Sequence, residues 1–171
     1  MPPSLLILGT SHKLQCGGAN VSASETAAFE KELLRICVAF NVGRIAEEMS
    51  DVGLAMHEVL RTTGAAIAER LGLVHQYIDL NSSERAALSL GDHAVVSLII
   101  ENDFQDEGAS LRRAFGIIVG EVRERIWVGR ILEGKKWPVL LVCGADHSLN
   151  IEKLWGALGF EVTVVHQDYE P

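Results

Sequence analysis

The chain alternates between short, continuous apolar runs and segments in which apolar residues recur every three or four positions. Continuous runs such as LLILG and VLLVCG predict strands that are covered on both faces, because such strands have no solvent side. The first helix-period segment is expected to begin with Ser24 as its N-cap, and its apolar face is formed by Phe29, Leu33, Ile36 and Phe40. This alternation predicts a single α/β domain over residues 1–171, with a largely parallel central sheet of about five strands and helices on both faces.

The middle of the chain adds further elements to this pattern. Residues 42–50 and 74–80 predict the second and third strands, and residues 161–167 predict the last one. Residues 53–72 predict one helix that stops at Gly72, although two threonines and a glycine weaken its centre. Residues 93–104 are compatible with either a helix or a strand, and a long helix is expected after them, over 108–134.

Polar side chains follow several of the predicted strands at the point where each strand ends. The runs LLILGTSH and VLLVCGADH both finish in Gly-x-x-His, which places His12 and His147 just beyond a strand. Glu47 and Glu48 close the second strand, and Asp79 ends the third. Because the carboxyl ends of parallel strands meet at one edge of the sheet, these groups are expected to converge. Two histidines with carboxylates suit acid–base catalysis or a metal ion.

Each of these residues also has an ordinary structural explanation. A histidine after a strand is more often a simple loop residue, and Asp79 could cap the turn that follows it. Glu47 and Glu48 point to opposite faces of a regular strand, so only one of them is expected in the crevice. The helix that begins after Gly144 has free N–H groups in its first turn, which favour an anion or an oxyanion beside His147.

The long helix carries several charged residues with two competing roles. Glu121 and Arg125 form an i,i+4 pair that is typical of a solvated helix surface and contributes only a few tenths of a kcal/mol. Alternatively, an arginine at the border of the apolar stripe could reach the crevice and bind a carboxylate or a phosphate. Arg125 is the candidate for that role, while Arg123 and Arg130 share a face of the same helix. Of the other histidines, only His166 is expected near the same edge, and His57, His75 and His93 have no predicted partner.

Composition narrows the classes of function. A formal net charge of −8 and the lack of a basic block argue against nucleic-acid binding. The N-terminus has no basic signal-peptide region, and no apolar run approaches the roughly 20 residues that span a bilayer, so a cytoplasmic protein is expected. Three cysteines without CxxC spacing do not predict a disulfide framework or a zinc site. Cys143 is expected to pack in the core, and Cys16 is expected in a polar loop where it could be exposed.

Four short motifs in this order resemble one known group of proteins. GTSH at 9–12, AEEM at 46–49, VRERIW at 122–127 and GADH at 144–147 are similar to the TIKI/TraB superfamily, which includes TraB/PrgY, ChaN-like and erythromycin-esterase-like proteins. The resemblance implies two Gly-x-x-His motifs and a glutamate on an α/β core. Some members are described as manganese- or cobalt-dependent proteases, others use histidine as a base against a lactone, and ChaN-like members bind haem.

The resemblance also implies roles for particular residues. His12 and His147 fall on the family histidines, and Glu47 or Glu48 on the family glutamate, with Glu48 favoured because an apolar residue follows it. Arg125 would correspond to the arginine of the helix motif. A divalent metal (Mn, Co or Zn) would then be held by His12, Glu48 and His147.

The leading hypothesis is a small cytoplasmic hydrolase that activates water against an ester, lactone or amide bond. The two histidines and a strand-end glutamate would hold a metal or act directly as base and acid, while Asp79 and Arg125 orient them or the substrate. Its partner would be a small-molecule or peptide substrate, with no nucleic acid and no membrane. The alternatives are a non-catalytic module that binds a small anion or haem, and a degenerate core that serves as a homodimerisation domain.

Overall fold

The computed structural model describes residues 3–17, 21–88 and 108–171, with only the backbone described for residues 108–117. The strands in these ranges are β1 (Ser4–Thr10), β2 (Arg44–Glu47), β3 (Val74–Tyr77), β4 (Val139–Gly144) and β5 (Glu161–Tyr169). The helices are α1 (His12–Cys16), α2 (Ala23–Ala39), α3 (Asp51–Met56), α4 (Thr63–Leu71), α5 (Ser82–Ala87), α6 (Gly108–Glu133) and α7 (Ala145–Ala157).

The five strands form one parallel sheet in the order β3-β2-β4-β1-β5, which confirms the predicted α/β fold. From β1 the chain crosses to β2, towards one edge of the sheet. From β4 it crosses to β5, towards the opposite edge. The adjacent strands β1 and β4 therefore flank a point where the connections run in opposite directions. In open α/β sheets, ligands bind in the crevice at such a point, outside the carboxyl ends of the strands.

Helices cover both faces of the sheet and give the molecule two hydrophobic layers. Alternate residues of β1 supply the two layers, since Leu6 and Leu8 face one side and Leu5 and Ile7 the other. The first layer is completed from α2 and α4 by Phe29, Leu33, Ile36 and Ile67. The second layer is completed from α6 and α7 by Trp127, Ile131, Ile151 and Trp155. The sheet is thus buried on both sides, as its continuous apolar strands require.

Two details of the helices differ from the sequence predictions. The single helix expected over residues 53–72 is two helices, α3 and α4. Thr62, one of the residues that weaken the expected helix, is the N-cap of α4, because its side chain accepts a hydrogen bond from the backbone N–H of Ala65. Ser22 rather than Ser24 caps α2, in a capping box with Glu25.

The remaining sequence predictions concern the segment 93–104, the Cys16 thiol and membrane-spanning helices. The segment 93–104, which the sequence leaves open between helix and strand, lies outside the described residues, as does His93. Cys16 is only 5% exposed, so the prediction of an exposed loop thiol is wrong. Burial and the negative charge of Glu47 raise the pKa of the Cys16 thiol to about 11. Within the described ranges, no helix is long and apolar enough to cross a membrane.

Candidate active site

Three of the predicted site residues meet above the carboxyl ends of β1, β2 and β4. The Nε2 atoms of His12 and His147 lie 3.5 Å and 3.4 Å from the same carboxylate oxygen, Glu48 Oε1. His12 is the first residue of α1, which Ser11 caps, and His147 lies in the first turn of α7. The His12 side chain is 46% exposed, whereas that of Glu48 is 1% exposed. The cluster thus has a buried acid at its base and an accessible imidazole at its mouth.

Glu48 is held as a carboxylate by several donors. The backbone N–H of Gly144 donates to its Oε2 at 2.7 Å, and Arg123 Nη2 donates to its Oε1 at 2.7 Å. Burial raises the pKa of Glu48, but the neighbouring His12 imidazole and the positive charges of His147 and Arg123 outweigh it and hold the pKa below its usual range. Gly144 is the N-cap residue of α7, so Glu48 occupies the helix N-terminus where the sequence predicts an anion.

His147 stands between two carboxylates. Its Nδ1 lies 2.6 Å from Glu124 Oε1, and its Nε2 faces Glu48. Burial lowers the pKa of His147, but the hydrogen bond with Glu124 and the charge of Glu48 outweigh it and raise the pKa above its ordinary value. The indole of Trp127 packs edge-on against the imidazole, with the ring centroids 4.9 Å apart. Both carboxylates therefore favour a positive charge on the His147 imidazole.

Asp79 supports this cluster from a distance. Its Oδ1 accepts hydrogen bonds from Arg123 Nε at 2.8 Å and from Trp127 Nε1 at 3.1 Å, and its Oδ2 accepts one from Arg85 at 2.6 Å. Burial raises the pKa of Asp79, but the hydrogen bonds and charges of the two arginines hold it below the usual range. Asp79 is thus an acceptor that fixes Arg123, and Arg123 in turn binds Glu48.

The arginine of the site is Arg123, and Arg125 is exposed on the other side of α6. Two residues along a helix correspond to a turn of about 200°, so neighbours at this spacing cannot share a face. Glu124, which the sequence analysis does not single out, is only 4% exposed and holds His147. The spacing of Arg123 to the buried Trp127, one helical turn, is the signal that identifies the inward face.

Glu47 points to the opposite face of the sheet and takes no part in the crevice, consistent with the strand alternation. It is fully buried, its Oε2 lies 2.7 Å from His75 Nε2, and it accepts a hydrogen bond from the hydroxyl of Thr62. His75, for which the sequence offers no partner, therefore has one. His166 lies 2.8 Å from Glu32 of α2, so its pairing is with that helix.

The resemblance implies a divalent cation between the two histidines and Glu48, and these residues do not fit one as they are placed. Among the described residues, no group of three or more His, Cys, Asp or Glu side chains has the arrangement of a metal site. Glu48 Oε1, the atom nearest to both imidazoles, already accepts from Arg123 at 2.7 Å, and that guanidinium repels a second cation. The placement of these residues therefore does not support a metal ion here. The metal implied by the resemblance stays a prediction, which metal analysis of the protein would test.

A polar cavity of about 370 Å³ lies beside the cluster, at the carboxyl ends of β2 and β3. Asp79 belongs both to its wall and to the arginine network described above. Its lining residues are all polar: Ser50, Asp51, Gln76, Tyr77, Asp79, Asn81, Glu84, Arg130 and Glu133. Neither histidine lines this cavity, which therefore lies to one side of the imidazoles.

The chain was compared with known protein families, curated proteins and solved structures. No protein-family model, curated protein or solved structure matches the chain. The similarity to the TIKI/TraB superfamily therefore stays a prediction from the four motifs.

Proposed function

We propose that the protein is a hydrolase that cleaves a small polar ester, lactone or amide by general acid–base catalysis. The observation that supports this most directly is the pair of imidazoles that approach one buried carboxylate from two helices, at 3.4 Å and 3.5 Å. Their surroundings differ, since His147 is held between Glu48 and Glu124 while His12 is open to solvent. Two titratable groups of one kind in unlike environments are suited to opposite roles in proton transfer.

His12 is the proposed base and His147 the proposed acid. A water molecule gives a proton to His12 Nε2 while its oxygen forms a bond to the carbonyl carbon of the substrate. The bond from that carbon to the leaving oxygen or nitrogen then breaks, and the leaving group takes a proton from His147 Nε2. Solvent returns the protons, so the net change is addition of one water across the cleaved bond. Glu48 stays ionised throughout and orients both imidazoles.

The surroundings of the cluster favour polar substrates over lipid-like ones. The open cavity next to it is lined by carboxylates, amides, hydroxyls and one guanidinium, and its volume is near the lower end of the size range of small-molecule sites. Part of the substrate would extend over Asp79 into this cavity. The size of the cavity suits one small molecule better than a long peptide.

The test is a hydrolysis panel of polar esters, lactones and amides, run on the wild type and on two variants. His12→Ala and His147→Ala are each expected to lower kcat by about 10²- to 10⁴-fold. His166→Gln, which changes a histidine outside the cluster, is the matched control and is expected to keep wild-type activity.

Metal analysis of protein purified without chelator accompanies the panel. A stoichiometric divalent metal that is lost in His12→Ala would replace this mechanism with a metal-dependent one. A copurifying ligand together with no turnover on any substrate would favour the binding module instead.

A further inference from the structure

Gly144 borders the point where the site residues converge. A Cβ atom built on Gly144 would lie 3.3 Å from Glu48 Oε2, 3.6 Å from His12 Nε2 and 3.6 Å from His147 Cδ2. A single position next to this glycine is therefore within reach of three of the side chains that form the cluster. The glycine leaves that position free of protein atoms.

The backbone does not explain the glycine at this position. Gly144 has φ −58° and ψ 142°, which any L-residue adopts without strain. Gly9, the matching residue of the first Gly-x-x-His motif, is different, because a Cβ there would overlap the backbone carbonyl of Gln167 in β5. The first glycine is thus needed for close packing of two strands, whereas the three atoms nearest to a Cβ at the second all belong to side chains of the cluster.

We propose that the space beside Gly144 holds the attacking water, and this inference rests on the proposed hydrolase function. A water oxygen would lie farther from Gly144 Cα than a Cβ does, between His12 Nε2 and Glu48 Oε2. Its two protons would be donated to His12 Nε2 and to Glu48 Oε2, which keeps a second lone pair besides the one that accepts from the Gly144 N–H. Both protons are then engaged, and a lone pair of the oxygen remains for the carbonyl carbon.

The same geometry makes Gly144 a positioning residue. A methyl group at this position would take up the space of the water without removing a charge, a hydrogen bond or an imidazole. Gly144→Ala is therefore expected to lower kcat by about 100-fold, as for other displacements of reacting groups by about 1 Å, with KM changed little.

Gly156→Ala is the matched control, because Gly156 lies in α7, the helix that Gly144 caps, and an added Cβ meets nothing within 4 Å. It is expected to keep wild-type kcat. Gly120→Ala is intermediate between these two variants in how closely the added methyl approaches the cluster. Its Cβ would lie 3.8 Å from His147 Cε1, an ordinary contact distance. Wild-type kcat in a folded Gly144→Ala variant would overturn the proposal.

A crystal structure of the wild-type protein provides a readout that does not depend on turnover. Ordered solvent within hydrogen-bond distance of His12 Nε2 and Glu48 Oε2 supports the proposal even if the panel reveals no substrate or Gly144→Ala folds poorly, and absence of that solvent from crystals of a folded Gly144→Ala variant supports it further. Electron density that shows no ordered solvent at this place overturns the proposal. A divalent ion identified there by anomalous scattering overturns it as well. Failure of the hydrolase proposal alone would instead appear as ordered solvent without turnover.

Discussion

At the scale of single residues, the adjacent acids Glu47 and Glu48 have separate environments on the two faces of the sheet. Glu48 accepts the N–H of Gly144 at the N-terminus of α7, and Glu47 accepts the hydroxyl of Thr62 at the N-terminus of α4. The alternation of a strand sends consecutive side chains to opposite faces, and a helix N-terminus favours negative charge on either one. One dipeptide therefore anchors two helices, and only one of its members reaches the histidines.

The role of Glu124 can be tested through the pH dependence of turnover. Glu124→Gln removes the carboxylate that helps to raise the pKa of His147, so that pKa is expected to fall. Since the protonated form of His147 is the proposed acid, activity should disappear at a lower pH on the alkaline side of the kcat/KM profile. Glu121→Gln, an exposed change on α6, is the control and should leave the profile unchanged. A shift of the acidic limb alone would mean that His147 is the base.

Arg123 is expected to matter for stability as well as for the site. Arg123→Ala leaves the buried carboxylates of Glu48 and Asp79 without the guanidinium that joins them. Removing one partner of a buried ion pair costs roughly 3 kcal/mol or more, so the free energy of unfolding should fall by about that amount in urea titrations at pH 7. Arg125→Ala should change it by less than about 0.5 kcal/mol. Equal effects of the two variants would contradict the assignment of Arg123 to the site.

The difference between these arginines shows what the sequence could and could not provide. The exits of the strands could be predicted from LLILG and VLLVCG, because continuous apolar runs and terminal glycines mark buried parallel strands. The inward face of α6 could not be read as easily, since its charges repeat along both faces. The partner of His75 could not be predicted either, because β2 and β3 had first to be paired in register.

At the scale of elements, the C-terminal end of α6 is fastened by a buried arginine from the sheet. Arg44 of β2 is 2% exposed, and it donates hydrogen bonds to the carbonyl of Ile131 and to Gln76 Oε1. Burial lowers the pKa of Arg44. Gly134, the residue after α6, gives the guanidinium its room, because a Cβ there would overlap it. The helix is thereby held to the sheet by polar contacts as well as by its apolar layer.

Gly134→Ala is accordingly expected to destabilise the protein by about 1–3 kcal/mol, as overpacking of a filled interior does. Gly129→Ala, in the same helix, places its Cβ in open space and should stabilise the protein by about 0.5–1 kcal/mol. Unfolding midpoints in urea would compare the two. The opposite order of stabilities would show that Arg44 can move without loss of its hydrogen bonds.

Helix boundaries were the least predictable feature at this scale. Thr62, Thr63 and Gly64 weaken a helix as interior residues, but the same chemistry makes a threonine a good N-cap. Whether Thr62 interrupts a helix or begins one depends on tertiary contacts, since its hydroxyl also donates to Glu47. The sequence alone therefore shows the interruption without showing that a second helix begins there.

At the scale of the whole molecule, paired carboxylates predict a loss of stability in acid. A hydrogen bond from Arg35 lowers the pKa of Glu32 to about 2, with His166 adding to the effect, and the pKa values of Glu48 and Asp79 are also depressed. Each folded-state pKa lies below its unfolded value, so the unfolded chain takes up more protons as the pH falls. The stabilisation is fully present above the unfolded pKa values, about 4.3 for Glu and about 3.9 for Asp, and is lost as the pH falls from there through the folded values.

The variant Glu32→Gln isolates one part of this effect. It should unfold at a lower temperature than the wild type at pH 6, and the difference should shrink as the pH falls towards about 2. Thermal melts followed by circular dichroism from pH 6 to pH 2.5 would measure it. Glu152→Gln, an exposed change on α7, should show no such trend. A difference that stays constant with pH would mean that the Glu32 carboxylate is not stabilised by its charge.

The place of β4 in the sheet has a consequence for synthesis of the protein. β4 lies between β1 and β2, although it is made after both of them, so these early strands share no backbone ladder until residues 139–144 are present. Until then, the position between β1 and β2 at the centre of the sheet is unfilled. The sheet can therefore close only after residues 139–144 have left the exit tunnel, and a chain released before that point lacks the strand that joins β1 to β2.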